Sequence, residues 1–361
     1  MVSQVADTAV NLTQQARREV RLTVDRTQRA LDVAFGRHEP EVALTPKDVI
    51  YERGTMRVYR YRPVCDEVYR VPVVFVMSLV SKAYILDLVP GQSFVEYLVN
   101  QGYDVYMVDW GVPRPEDHSL RLEDYVLDML PRSFERIQHV TQQEDYSVVG
   151  YCMGGQFGLM YAGAFPDAPV RNLVTIATPV DMEGMGLLRA WADPRHFDVD
   201  RLIDAYGNVP AEVIRMSLEM LRPFDRMLGY IRLWDNLWDE EYVRNWRVRY
   251  RWVTDQIPFP GETYRQMMKE LFQGNKLAKG ELVLDGHRVE LCRIRASVLN
   301  AMAEFDHIAP YASTRPLLDL VGSTDKQELH VRGGHVSLIA GANALMRLWP
   351  TVNDWLARRS V

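Results

Sequence analysis

The chain has 361 residues, 47% of them hydrophobic and 25% charged, which supplies the apolar material for one large α/β domain or two smaller ones. A formal net charge of −6 argues against a general nucleic-acid binder. Cys65, Cys152 and Cys292 make no even disulfide framework, which fits a reducing, cytoplasmic compartment, and no apolar stretch approaches a membrane span or a signal-peptide core.

Residues Val5 to Phe35 carry apolar positions at mostly helical spacing, Val20, Val24, Leu31 and Phe35 among them, with Arg17, Arg18, Arg21 and Arg26 between. This helix either packs on the body or docks a partner. From Asp48 the pattern changes. Tyr51 to Tyr61 alternates like an edge hairpin strand, and Val71–Met77 is a continuous apolar run of the buried parallel kind. A loop, Ser78–Tyr84, follows it. Next come a helix around Ser93–Leu98, a strand over Asp104–Trp110 and a long amphipathic helix over Leu122–Gln142.

The next strand ends in Gly150-Tyr151-Cys152-Met153-Gly154-Gly155 and leads directly into a helix. Gly-x-Cys-x-Gly is the nucleophile-elbow pattern with cysteine in place of serine. The glycines admit a turn too sharp for a Cβ at either flank, and a sulfur at a helix N-terminus is favoured as thiolate. A buried structural cysteine in a tight strand-to-helix packing would give the same local pattern.

A further buried strand spans Asn172–Ala177. Strand and helix alternate up to this point, which implies a mostly parallel sheet with helices on both faces. The alternation stops between Asp181 and about Val289. That stretch is dense in Met, Leu, Arg and Trp, and holds Trp191, Trp234, Trp238, Trp246 and Trp252. It is expected to be a helical cap, which would shield a site from water. The sheet resumes at Ala296–Met302, followed by the loop bearing Asp306-His307-Ile308-Ala309-Pro310 and a helix over Ser313–Leu320. A last strand, Lys326–Val331, ends in Gly333-Gly334-His335, and a helix over Ala342–Arg358 closes the chain. The expected division is an N-terminal helical segment (1–47), a core (48–180 and 290–361) and a cap (181–289).

Cys152, Asp306 and His335 thus each follow a strand, in the order nucleophile, acid, histidine. That is the order of the α/β-hydrolase triad, whose loops converge at one edge of the sheet. His335 would take the proton of Cys152, and Asp306 would fix the imidazole. Asp109 also ends a strand and competes for the acid role, but it precedes the nucleophile. Oxyanion donors are expected from the backbone N–H of Met153 and of Val80 or Leu79. His307, beside the acid, and Trp191, in the cap, are candidate substrate or lid residues. Thiolate attack on a thioester exchanges one thioester for another at little cost, so a cysteine elbow suits acyl-CoA donors.

The elbow resembles the cysteine lipase box of the polyhydroxyalkanoate synthases. Ala83–Leu88, Ser93–Leu98 and Asp104–Gly111 are similar to that family's signature ahead of the box, and Asp306–Pro310 and Gly333–His335 to its acid and histidine blocks. The likeness runs from about Asp48 to the C-terminus, with Ser81 and Ala83 flanking Lys82 where the family often has asparagine and an aromatic residue. The absence of a long N-terminal domain brings the chain nearest the short catalytic subunit of the two-component, class III type. The resemblance implies an α/β-hydrolase fold and polymerisation of 3-hydroxyacyl-CoA, short-chain by default, at Cys152 with CoA released. CoA thioester would be the substrate, and neither cofactor nor metal is called for. Asp306 would also help activate the monomer hydroxyl. A second, non-catalytic (PhaE-like) subunit, homo-dimerisation and a place at the surface of polyester granules are implied as well. The alternatives are a cysteine thioesterase or depolymerase of the same fold, and a non-catalytic scaffold. Cys65 and Cys292 are read as bystanders.

Overall fold

Short apolar runs between turn residues become strands here because both faces of each are covered. The computed structural model describes residues 40–361 and, ahead of them, 17, 20, 21 and 23–33. Eight strands form one sheet: β1 (Lys47–Arg53), β2 (Met56–Tyr61), β3 (Val73–Val76), β4 (Val105–Asp109), β5 (Tyr146–Tyr151), β6 (Val170–Ile176), β9 (Ser297–Ala303) and β10 (Lys326–Val331). A two-residue hairpin, β7 (Val283–Leu284) with β8 (His287–Arg288), stands apart. The order across the sheet is β1-β2-β4-β3-β5-β6-β9-β10. Within this sheet the β1–β2 and β2–β4 pairings are antiparallel, and those joining β4, β3, β5, β6, β9 and β10 are parallel. All four residues of β3 and all six of β5 are buried, as central parallel strands require.

The expected edge strand is two strands, beginning at Lys47 and turning at Gly54, whose φ is +59°. Among the described residues three helical stretches are π-helical; Met267–Gln273 has no proline behind it, and the other two share a reason. The helix ahead of the elbow strand is π-helical over Asp124–Met129, just before Pro131, and the last helix is π-helical over Ala344–Leu348, just before Pro350. A proline has no N–H and crowds the carbonyl four residues back, and a wider turn there relieves the clash. The helix expected over Ser313–Leu320 is two short helices, Tyr311–Thr314 and Leu317–Leu320, parted at Pro316.

The chain divides into two compact units. One holds residues up to Val42 together with Arg222–Thr254; the other holds Ala43–Leu221 and Asp255–Val361. The segment expected to form one cap, 181–289, is therefore shared between them, and the expected boundary at 47 falls inside β1. In the smaller unit the helices Asp225–Asp235 and Glu240–Thr254 bury Leu233, Leu237 and Val243, against which Ala30, Val33, Tyr242 and Trp246 pack. The Arg29 guanidinium donates to the carbonyl of Leu237 at 2.9 Å and pairs with Glu240 at 3.0 Å. Val20, Val24 and Leu31, of the expected apolar stripe, are exposed, while Phe35 lies outside the described residues. Their helix turns Ala30 and Val33 inward instead.

Candidate active site

Cys152 stands between β5 and the helix Met153–Ala164 with φ 54° and ψ −120°, a backbone region that costs a non-glycine residue on the order of 1–3 kcal/mol. The surroundings enforce it. A Cβ on Gly150 would meet the backbone of Gly155, one on Gly154 the carbonyl of Val76, and one on Gly155 the side chain of Thr178. The helix therefore starts hard against the end of β3. The N–H of Cys152 donates to the carbonyl of Ile176 at 2.8 Å, tying the elbow to β6 on its other side. Cys152 is partly exposed, and all eleven residues Met153–Gly163 behind it are buried.

Asp306 follows β9 and His335 follows β10, the neighbouring parallel strand. Their side chains meet, with His335 Nδ1 2.7 Å from Asp306 Oδ2, and both residues are buried. The other carboxylate oxygen accepts from the N–H groups of Ile308 (2.9 Å) and Ala309 (2.8 Å), so the loop's own backbone fixes the acid. The loops are joined: the N–H of Phe305 donates to the carbonyl of Gly333 at 2.8 Å. Gly333 has φ 150°, and the N–H of Gly334 donates to Ser337 Oγ at 2.7 Å.

Burial alone would pull the imidazole pKa down. The charge of Asp306, then that of Cys152, and hydrogen bonding with both side chains outweigh it and raise His335 to about 10. Cys152, His335 and Asp306 thus form one electrostatically linked group. Asp109 does not join it. β4 lies on the far side of β3 from the elbow strand, and the Asp109 carboxylate accepts from the N–H of Gly111 at 3.0 Å instead.

The remaining expected residues fall in different places. Met153 opens its helix, so its N–H belongs to the first turn, where no intrahelical carbonyl is available. Leu79 and Val80 lie on the loop after β3, the strand against which that helix begins; Leu79 is fully buried and Val80 partly so. His307 sits in the turn beside Asp306 and is partly buried. Trp191 ends the short helix Leu187–Trp191 with 36% of its surface exposed, and among the described residues no hydrogen bond or ring contact joins it to Cys152, Asp306 or His335.

One neighbour was not picked out from sequence. The ring of Tyr151 lies 5.0 Å from that of His335, and its hydroxyl donates to the carbonyl of His335 at 3.4 Å. A buried tyrosine next to a nucleophile must place its hydroxyl somewhere, and that requirement was the available signal. The amides holding Asp306 had a signal too, since Asp followed four residues later by Pro is a turn in which the carboxylate accepts from the backbone just ahead.

The sheet order, the strained elbow and the acid–histidine pair define the class. Residues 72–342 match the model of the alpha/beta hydrolase fold, and the chain superposes on a monoacylglycerol lipase from Paleococcus ferrophilus with TM-score 0.50, covering 84% of this chain and 99% of that one. At 18% identity that likeness speaks for the fold alone. Residues 8–98 match the model of the Poly-beta-hydroxybutyrate polymerase (PhaC) N-terminus, so the family likeness starts well ahead of Asp48. The poly(3-hydroxyalkanoate) polymerase subunit PhaC of Haloferax mediterranei is 37% identical over 93% of this chain and 69% of its own length. Its namesake in Allochromatium vinosum is 35% identical over 88% of this chain and 90% of its own. The chain belongs to the poly(3-hydroxyalkanoate) polymerase family.

Proposed function

We propose that this chain is an acyltransferase that polymerises 3-hydroxyacyl-CoA into polyester through a thioester on Cys152. The observation carrying the reading is a cysteine at a strained elbow, linked to an imidazole whose other nitrogen is held by a buried carboxylate. Membership in a family whose relatives are named poly(3-hydroxyalkanoate) polymerases supplies the reaction class.

In the first half-reaction the Cys152 proton passes to His335 and the sulfur attacks the thioester carbonyl. The tetrahedral oxyanion accepts from the N–H groups of Met153 and Val80. The bond from carbon to the CoA sulfur then breaks, and CoA leaves as the thiol with the proton from His335. In the second, the hydroxyl of a 3-hydroxyacyl-CoA gives its proton to His335, and its oxygen attacks the acyl carbonyl on Cys152. The bond to Cys152 breaks, the cysteine sulfur takes the proton, and the chain, one unit longer, is carried on CoA. The first half-reaction returns it to Cys152 and frees CoA. Asp306 acts through His335, holding its Nδ1 proton and stabilising the imidazolium in both halves. No cofactor is needed, because the thioester supplies the activation.

We place short-chain monomers first, of the 3-hydroxybutyryl type, and expect a second, non-catalytic subunit and pairing of two catalytic chains at a polyester granule surface. The relatives are named as subunits, and the smaller unit exposes Phe224, Met227, Ile231, Trp234 and Trp238. Met227, Ile231 and Trp234 lie together, and exposed apolar clusters of this kind mark interaction surfaces. Among the described residues no helix is long and apolar enough to cross a membrane.

Incubation of the purified protein with 3-hydroxybutyryl-CoA tests the reading through CoA release and the fate of the acyl group. High-mass polyester is the expected product. Free hydroxy acid alone would make the chain a thioesterase with the same triad.

A further inference from the structure

A cavity of about 330 Å³ runs along β2 and β4, on the side of the elbow strand away from His335, and one end of it, at Asp109 and Lys82, reaches the edge of the sheet that bears Cys152. Lys47, Tyr59, Tyr61, Lys82, Tyr84 and Asp109 line it. Asp109 ends β4, which is separated from the elbow strand by β3 alone, and Lys82 lies on the loop expected to carry the oxyanion donor. Two strand spacings put the Asp109 end of the cavity about 10 Å from the elbow strand, and the Tyr59 and Tyr61 side one strand further.

Its chemistry is lopsided. Five of the six side chains carry N–H or O–H groups, although Tyr84 already donates to Asp255 at 3.1 Å, and Asp109 alone is an acceptor-only group when ionised. One donor is poorly served. The Tyr61 side chain is buried, and among the described residues its hydroxyl reaches the sulfur of Met107, at 3.8 Å, a weak acceptor. Burial and the charges of Asp87 and Asp109 push the Tyr61 pKa well above its usual value, so it keeps its proton. The Lys47 ammonium lies 5.4 Å and 5.2 Å from the ring centres of Tyr59 and Tyr61, at a long 3.4 Å from Asp87.

Charge decides what such a cavity can take. Asp87 beside Lys47, Asp255 at 2.6 Å from Lys82, and Asp109 itself set three carboxylates against two ammonium groups. The Arg57 guanidinium also acts on Asp109, so neither a phosphate nor a cation finds an excess of opposite charge there. A neutral ligand rich in acceptors, with apolar flanks for the tyrosine rings and at most one hydroxyl for Asp109, fits both limits.

We propose that this cavity binds the ester carbonyls of the growing polyester chain near its hydroxyl end. The inference rests on the polymerase reading above. In that reaction His335 hands its proton to the leaving CoA, so the leaving group occupies the imidazole side of Cys152 and the retained acyl chain extends the other way, toward this cavity.

The probe is the methyl ester of the 3-hydroxybutyrate trimer, which is neutral, rich in ester carbonyls and ends in one hydroxyl. Its affinity is measured by calorimetry on full-length Cys152→Ala protein, alone and with Tyr61→Phe or Asp109→Asn added, each variant first checked by thermal melting. Loss of the Tyr61 hydroxyl, and in Asp109→Asn of the charge on the acceptor, should each raise Kd about fivefold, and CoA should not displace the trimer. The inference is overturned if the trimer does not bind, if it binds both variants as tightly as their parent, or if CoA competes with it. A folding defect in Asp109→Asn leaves Tyr61→Phe, which keeps the ring and its packing, to decide. The polymerase reading stands or falls separately, on CoA release and polymer formation by the wild type.

Discussion

The elbow region and the smaller unit spend their apolar residues in opposite ways. Around Cys152 the strands and the helix behind it are buried throughout, and three glycines lie where any side chain would collide with backbone or with Thr178. In the smaller unit three residues, Leu233, Leu237 and Val243, form the buried cluster, while Phe224 is 69% and Trp234 56% exposed. The first region is built so that one strained conformation has no alternative. The second buries Trp252 and packs Trp246 on a modest core but leaves Phe224, Met227, Ile231, Trp234 and Trp238 outward, as a surface that meets something else would.

The contrast breaks most easily at Gly154. Gly154→Ala drives a methyl into the carbonyl of Val76 and should cost several kcal/mol (overpacking is typically about 1–3 kcal/mol, more against backbone) or prevent folding, read from chemical denaturation. In the smaller unit Leu233→Ala should cost about 2–3 kcal/mol, the low end for a leucine in a core this small. A loss as large as that at Gly154 would mean the two regions are equally constrained.

Asp306→Asn sharpens the electrostatic half of the account. With its chief attractive partner neutral, burial should pull His335 from about 10 back toward or below its ordinary 6.5. Because the folded-state value is raised, the pair's contribution to stability is complete below about pH 6.5 and is lost as pH rises through about 10. The variant should lose that alkaline decline, seen in melts across the range together with a histidine NMR titration. Polymer elongation should slow more than the first CoA release.

Two smaller effects follow. Cys152→Gly and Cys152→Ala both lack the sulfur, but only glycine tolerates φ 54° with ψ −120°, so the glycine variant should be the more stable by about 1 kcal/mol. Equal stabilities would mean the elbow is not strained. Trp234→Ser, at an exposed position, should move the stability of the isolated chain by no more than about 0.5 kcal/mol.

What could be read from sequence divides along the same line. β3 and β5 were legible because buried parallel strands are continuous apolar runs, whereas β10, Lys326–Val331, is mostly exposed and polar and carries no such signal. Cys152, Asp306 and His335 were singled out because each follows an inferred strand; that Asp306 rather than Asp109 meets His335 rests on the sheet order and the 2.7 Å contact, neither of which is local information. The stretch 181–289 was legible as helical but not as shared between two units. Helical periodicity marks an apolar face without saying what meets it, as Val20, Val24 and Leu31 show by facing out. Trp191 was grouped with the site on composition, and composition carries no direction.

The most direct test of the central claim is the mass of the intact protein after brief exposure to 3-hydroxybutyryl-CoA, followed by peptide mapping. The account predicts an added hydroxybutyryl mass, or a ladder of them, on the peptide holding Cys152, and no adduct in Cys152→Ala. Adducts on the exposed Cys65 or Cys292 instead, or CoA release undiminished in Cys152→Ala, would contradict it.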